Sequence, residues 1–320
     1  MTRRRKWLLV LLGAPALVAA GSALWLLRDP VPRFEARRGT LRSANERPAT
    51  IHGSSTAQDV TLVGSSGLRV EIAVHRPTTN ETLTAPVRRR LFLVLGGHER
   101  GKAAGALIPD THGNVFAFLE YPFYGDHRAS GLAVLAQVPA IRRAFFDTPP
   151  SVQLALDYLL QRADVDPSRV ELVGASFGVP FATIAAARDP RVTRLWLAHG
   201  GGDPYLLINH GLRRDVRFAP ARAALAGLGT LLVSGPRFAP EHWIDAVSPR
   251  PVVMLNAEAD EKIPRRSVEV LWNSAREPKE LVWLPGQHVQ GNRPDVLARL
   301  VDEVLIRAER SESATAPTPR

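Results

Sequence analysis

The stretch VELVGASFGVPFATIAAA, residues 170–187, constrains the fold more than any other part of this chain. Val170 to Val173 have the character of a buried strand, and residues 177–187 read as a helix of mostly small side chains. Only a turn centred on Gly174-Ala175-Ser176-Phe177-Gly178 separates the two. A strand-to-helix turn does not by itself require a serine between two glycines. The glycines permit a tight, strained turn that lifts a hydroxyl clear of the backbone, and the helix N-terminus beneath it favours developing negative charge. The spacing therefore marks Ser176 as a candidate nucleophile.

The rest of the chain repeats the same alternation. Residues 57–77 form two strand-like runs around Gly64-Ser65-Ser66-Gly67, which predicts an antiparallel hairpin. Apolar strands are expected at LFLVL (91–95), VFAFLEY (115–121), RLWLA (194–198), VVMLN (252–256) and LVWL (281–284). Amphipathic helices are expected at 150–163, starting at a proline, and near 294–308, with mixed helices across about 203–233. Strands that are apolar throughout and separated by helices predict an α/β class, with a mostly parallel central sheet covered on both faces. The leading hairpin supplies the antiparallel edge.

A serine hydroxyl is a weak nucleophile, so it needs a base that is itself oriented by an acid. On an open α/β sheet such partners sit just past the carboxyl ends of later strands. His288 is the only histidine after residue 242, and it follows strand LVWL in Pro285-Gly286-Gln287-His288. Strand VVMLN is followed by Ala257-Glu258-Ala259-Asp260, where Asp260 has the better offset and Glu258 is the reserve. Oxyanion donors are expected from the Phe177 amide and from the Gly96-Gly97-His98 loop, with His98 preferred and Gly97 next.

With these residues in place, the chain resembles the α/β-hydrolase superfamily over roughly residues 55–308. The leading hairpin, the Gly-Gly loop, the Gly-Ala-Ser-Phe-Gly elbow, the Asp260-x-x-Ile263-Pro264 segment and the Gly-Gln-His loop carry the likeness. Among its branches the dienelactone hydrolase-like and acyl-peptidase-like ones are nearest. Gly96-Gly97 departs from the His-Gly of many members. The resemblance implies a serine hydrolase acting on a carboxylic ester with a Ser-Asp-His triad and no metal or organic cofactor. The same triad serves peptidase, thioesterase or acyltransferase chemistry, and a silent copy of the fold would serve as a tethered binding module. The resemblance also sets the aromatic loop Glu120–Arg128 beside the pocket. Residues 200–243 stand where many lipases carry a larger lid, and Ala223–Val233 reads equally as core or as a lipid-facing cap.

Composition bounds the partners. The net charge of +10 suggests nucleic acid until it is mapped: residues 1–50 hold ten Lys and Arg against three acids, leaving +3 for the rest. The body thus lacks the basic excess that phosphates require. The absence of cysteine excludes disulfides and thiolate metal sites. Residues 7–27 run 21 positions without a charge, about 31 Å as a helix, enough to cross a hydrocarbon core. A membrane anchor is the expectation for residues 1–27, with a cleaved signal as the alternative. Residues 28–50 are read as a polar tether, 51–308 as the catalytic domain and 309–320 as a disordered tail. Arg3, Arg4, Arg5 and Lys6 ahead of the span predict an inside amino terminus and a catalytic domain on the outer side.

Overall fold

A computed structural model describes residues 28–52, 54–78, 87–97, 100–129, 133–233 and 235–315, together with Gly21 and Gly131. The uncharged segment 7–27 lies outside the described residues apart from Gly21, and so does His98. Among the described residues no helix is long and apolar enough to cross a membrane.

The chain runs α1 (Val31–Arg38), β1 (Leu41–Glu46), β2 (Thr50–His52), β3 (Ser55–Gly64), β4 (Arg69–Pro77), β5 (Arg89–Leu95), β6 (Val115–Leu119), α2 (Ala133–Leu159) and β7 (Val165–Ala175). It continues through α3 (Val179–Arg188), β8 (Arg194–Ala198), α4 (Pro204–Gly211), α5 (Ala219–Leu232), the one-turn α6 (Gly235–Phe238), β9 (Val252–Ala257), α7 (Arg265–Ser274), β10 (Lys279–Leu284) and α8 (Pro294–Thr315). One sheet holds all ten strands in the order β1-β3-β4-β6-β5-β7-β8-β9-β10, with β2 paired to β3. Neighbours from β6 to β10 run parallel, and β1, β3 and β4 add antiparallel pairs. This is the mostly parallel, helix-covered α/β sheet that the alternation predicted.

The period-two geometry of a strand explains how continuous apolar runs are used. Leu91, Leu93 and Leu95 of β5 point into a core shared with Val152, Leu156, Phe181 and Ala185 of α2 and α3. Phe92 and Val94, between them, point into a second core shared with Trp196, Leu300, Val304 and Ala308. Both faces are covered, so most strand residues between the two are apolar; the buried exceptions are partnered, as Glu171 is by the Trp196 indole N–H at 2.7 Å and by Arg90 at 3.5 Å.

Three boundaries differ from the sequence expectation. Residues 28–50 are not an open tether: α1 buries Phe34 to 1% exposure and β1 pairs with β3. Arg37 holds the buried Asp147 through two 2.7 Å hydrogen bonds, and the Tyr158 hydroxyl donates to Glu46 at 2.6 Å. One phenylalanine and a few long-range polar contacts leave no periodic signature in the sequence. The second difference is at 150–163, where the helix begins at Ala133 and runs through Pro139, Pro149 and Pro150. Proline there does not stop the helix, and around Pro149 and Pro150 the Thr148 and Ser151 hydroxyls bond the Ala144 and Asp147 carbonyls four residues back, at 2.7 Å each. The third is at the carboxyl end, where α8 continues past Glu309 to Thr315.

Candidate active site

β7 delivers Ser176 to a turn that leaves no room for side chains at the glycines on either side of it. Ser176 sits at φ 53°, in the left-handed region that L residues avoid, and a short 3₁₀ turn leads from it into α3. A Cβ on Gly178 would lie 2.2 Å from the Leu95 carbonyl oxygen, and one on Gly174 would lie 2.7 Å from Ala182 Cβ. Both glycines are therefore places where helix and sheet meet without room for a side chain. The tight turn leaves the serine side chain only partly buried at the carboxyl end of the sheet.

The structure brings the three expected residues together. Ser176 Oγ lies 2.9 Å from His288 Nε2, and His288 Nδ1 lies 3.0 and 2.9 Å from the two Asp260 carboxylate oxygens. His288 is 1% exposed. Asp260 also accepts from the amides of Lys262 and Ile263, each at 2.9 Å. Glu258, the reserve acid, is exposed, and its amide is used to hold Leu284 at 2.9 Å.

Two residues that sequence reading passed over complete the support. Glu261 accepts from the His288 amide at 3.1 Å, from Gln290 at 3.1 Å and from Arg293 at 2.7 Å. Burial opposes its charge, but the His288 amide and Arg293 outweigh that and hold its carboxyl below the ordinary range. His199 follows β8 as His288 follows β10; it is 1% exposed, has φ 49° and lies edge-on to His288 with ring centres 5.6 Å apart. Its Nδ1 receives the Val289 amide at 3.1 Å and stands 3.4 Å from Asp260 Oδ2. An amide only donates, so His199 Nδ1 is an acceptor and the proton of the neutral ring sits on Nε2. Its signal in the sequence was a histidine directly after an apolar strand, the same signal that picked out His288.

Burial opposes the charge on Asp260 too, yet the His288 imidazole and the Ile263 amide hold its carboxyl well below the usual range. With His199 Nδ1 already an acceptor, the donating imidazole is that of His288. Ligand atoms of His199, Asp260 and His288 lie within 4.8 Å of one another. They are engaged by each other and by the Ser176 hydroxyl and Val289 amide, which leaves them no arrangement of free lone pairs for a metal ion.

Two cavities flank Ser176. One, of about 350 Å³, is lined by Tyr121, Phe123, Ile141, Phe145, Phe177 and Phe181 among others. The aromatic loop read from the sequence thus supplies part of its wall, through Tyr121, Phe123, Asp126 and His127. The other, of about 340 Å³, holds Ser176 and His288 with Gly96, Gly97, Arg100 and Lys262. Tyr121 donates to the Gly96 carbonyl at 2.5 Å, which fixes the glycine loop against the sheet; burial pushes the Tyr121 phenol well above its ordinary range. Of the expected oxyanion donors, Gly97 shares the cavity with Ser176 and Phe177 follows it in the chain.

No family model matches the chain. Over 183 residues it is 28% identical to an uncharacterized protein, YfhR, of Salmonella typhi, covering 57% of each chain. The chain thus spans just over half the length of the curated relatives it matches. Among solved structures, acetyl xylan esterase 1 from Thermoanaerobacterium sp. JW/SL YS485 superposes with a TM-score of 0.58 at 15% identity, covering 85% of this chain and 92% of that one. The α/β hydrolase GrgF from Penicillium sp. sh18 superposes with a TM-score of 0.55 at 19% identity, covering 79% of this chain and 98% of that one.

Proposed function

For this chain, which has the α/β-hydrolase fold, we propose hydrolysis of a carboxylic ester through an acyl-enzyme on Ser176. The observation that carries the reading is the unbroken line from Ser176 Oγ through His288 to Asp260, with each contact between 2.9 and 3.0 Å. Ser176 Oγ attacks the ester carbonyl as its proton passes to His288 Nε2. The carbonyl π electrons move to oxygen, and the amides of Phe177 and Gly97 or His98 receive that charge. Collapse of the tetrahedral species expels the alkoxide, which takes the proton from His288 and leaves as alcohol. Water then repeats the sequence with His288 as base, releasing the acid and restoring the serine.

Asp260 keeps His288 in the tautomer with Nε2 free to accept, and its low affinity for protons keeps it charged while His288 is an imidazolium. The aromatic cavity beside Phe177 suits an apolar group of the ester, and the cavity holding Ser176 and His288 takes the reacting carbonyl. Esterases among the superposed structures support the ester over the amide. We also propose that residues 7–27 anchor the protein in the cytoplasmic membrane, with the catalytic domain outside, on the strength of Arg3 to Lys6.

Turnover of short p-nitrophenyl esters tests the activity. The wild type should hydrolyse them, and His288→Ala should not while keeping its circular dichroism spectrum. Absence of turnover by the wild type across acyl lengths would overturn the reading and leave a binding module on the same fold.

A further inference from the structure

Helix α5 presents an apolar face that nothing in the described structure covers. At about 3.6 residues per turn, Ala221, Ala224, Leu225, Leu228 and Leu231 share one side of α5, and Phe218 caps the same side at its start. Phe218 is 69% exposed, Leu225 47%, Leu228 51% and Leu231 43%. The opposite side is buried through Ala226 and Thr230. Arg222, the one charged residue of α5, is turned away to Asn209 Oδ1 at 2.9 Å and the Val216 carbonyl at 3.0 Å. The exposed stripe therefore carries no charge along its whole length.

Two further observations say what covers it. Arg213, Arg214 and Arg217, against the single Asp215, lie in the connection that runs into Phe218 and α5, which puts a basic edge at the amino-terminal end of the stripe. All three are exposed, and none has an ion pair among the described residues. An uncharged apolar face with a basic edge complements an anionic lipid surface, where leucine and phenylalanine enter the acyl boundary and arginine meets the head groups. The second observation is where the uncharged segment 7–27 joins the fold. It ends at Arg28, and six residues later Phe34 packs on Phe238 and Trp243, with ring centres 5.9 and 6.3 Å away. Phe238 itself follows the end of α5 by six residues, and Arg142 beside Phe34's neighbour Phe146 donates to the Leu232 carbonyl at 2.9 Å. The helix α1, which begins three residues after Arg28, thus packs near the carboxyl end of α5.

We propose that the outer face of α5, edged by Arg213, Arg214 and Arg217, lies on an anionic lipid bilayer. The placement uses the reading of residues 7–27 as an anchor, but the stripe and its basic edge stand without it. Ile141, adjacent to Arg142, lines the aromatic cavity. The contact would set that cavity close to the bilayer surface, within reach of esters carried there.

Because the chain has no cysteine, a single introduced thiol can be labelled cleanly. Full-length Leu228→Cys and Ser168→Cys proteins carry an environment-sensitive fluorophore. Ser168 is exposed at the opposite end of the sheet, near the start of β7. Retained p-nitrophenyl acetate turnover shows that each is folded. With vesicles of phosphatidylcholine and phosphatidylglycerol, the probe at 228 should shift to the blue and be quenched by brominated lipid, while the probe at 168 does neither. Replacing Arg213, Arg214 and Arg217 with glutamine should abolish the advantage of phosphatidylglycerol over pure phosphatidylcholine. A probe at 228 that stays as wet as the one at 168, in protein that has partitioned into vesicles, overturns the proposal. So does a 228–228 disulfide with a blue-shifted probe in the absence of lipid, which would assign the face to a second copy. Protein that stays in solution without vesicles refutes the anchor alone, and the shift on adding vesicles then decides the α5 face by itself.

Discussion

The sharpest structural prediction concerns His199, which touches neither Ser176 nor the cavity but holds the loop that carries His288. Replacing it with leucine removes the acceptor of the Val289 amide, now met at 3.1 Å. A part-buried amide left unpaired costs up to about 1–3 kcal/mol, and the loop relieves that cost by moving, which carries His288 away from Ser176. Met wholly in that way, the loss becomes a drop of about 5- to 160-fold in kcat with little change in KM. Leucine also suffers at φ 49°, so its melting temperature falls further. His199→Asn is the control: its Oδ1 occupies the place of Nδ1, and asparagine tolerates the left-handed region. It should keep kcat within about threefold, roughly 0.7 kcal/mol. The assay is p-nitrophenyl acetate turnover on the full chain, with melting followed by circular dichroism. Wild-type kcat in His199→Leu, or equal losses in the two variants, would refute the positioning role.

Three other outcomes follow from the same contacts. Gly178→Ala forces a Cβ to within 2.2 Å of the Leu95 carbonyl, which should cost about 1–3 kcal/mol and lower the melting temperature by several degrees, read by calorimetry; an unchanged melting curve would contradict the close approach. Ile141→Trp fills part of the 350 Å³ aromatic cavity and should shorten the longest p-nitrophenyl acyl chain hydrolysed without changing acetate turnover; an unaltered chain-length profile would remove this cavity from the substrate path. Asp260 binds protons less readily folded than unfolded, so its charge stabilises the fold above about pH 4, and that contribution fades as pH falls towards its depressed native value. The melting temperature of Asp260→Asn should therefore trail the wild type at pH 7 and approach it at pH 3; a gap independent of pH would refute the assignment.

Much of the carboxyl end of the sheet was legible because each part of it is local. β8 matches the apolar run 194–198, and β5, β9 and β10 each contain the run expected there, since continuous burial on two faces writes itself as unbroken hydrophobicity. Ser176 was readable from two glycines whose absent side chains make room for Leu95 and Ala182. The contacts that were missed join residues far apart in the chain. His199 meets Val289 across 90 positions and Arg37 meets Asp147 across 110, and neither pairing has a period. The first turns of the folded domain were missed for a related reason. β1 is exposed along nearly its whole length, and α1 is held by Phe34 rather than by an apolar stripe. The side of α5 that faces outward was undecidable from its sequence, because leucines spaced three apart suit a buried face and a lipid-facing one alike.

The central claim is that Ser176 is the nucleophile, and covalent capture tests it most directly. The full-length wild type is treated with a fluorophosphonate, digested, and the modified residue located by mass spectrometry. A single phosphonyl adduct on the peptide spanning Gly174–Gly178, absent from Ser176→Ala and lost together with esterase activity, is the predicted result. An adduct on another residue, or equal labelling and turnover in Ser176→Ala, would contradict the account.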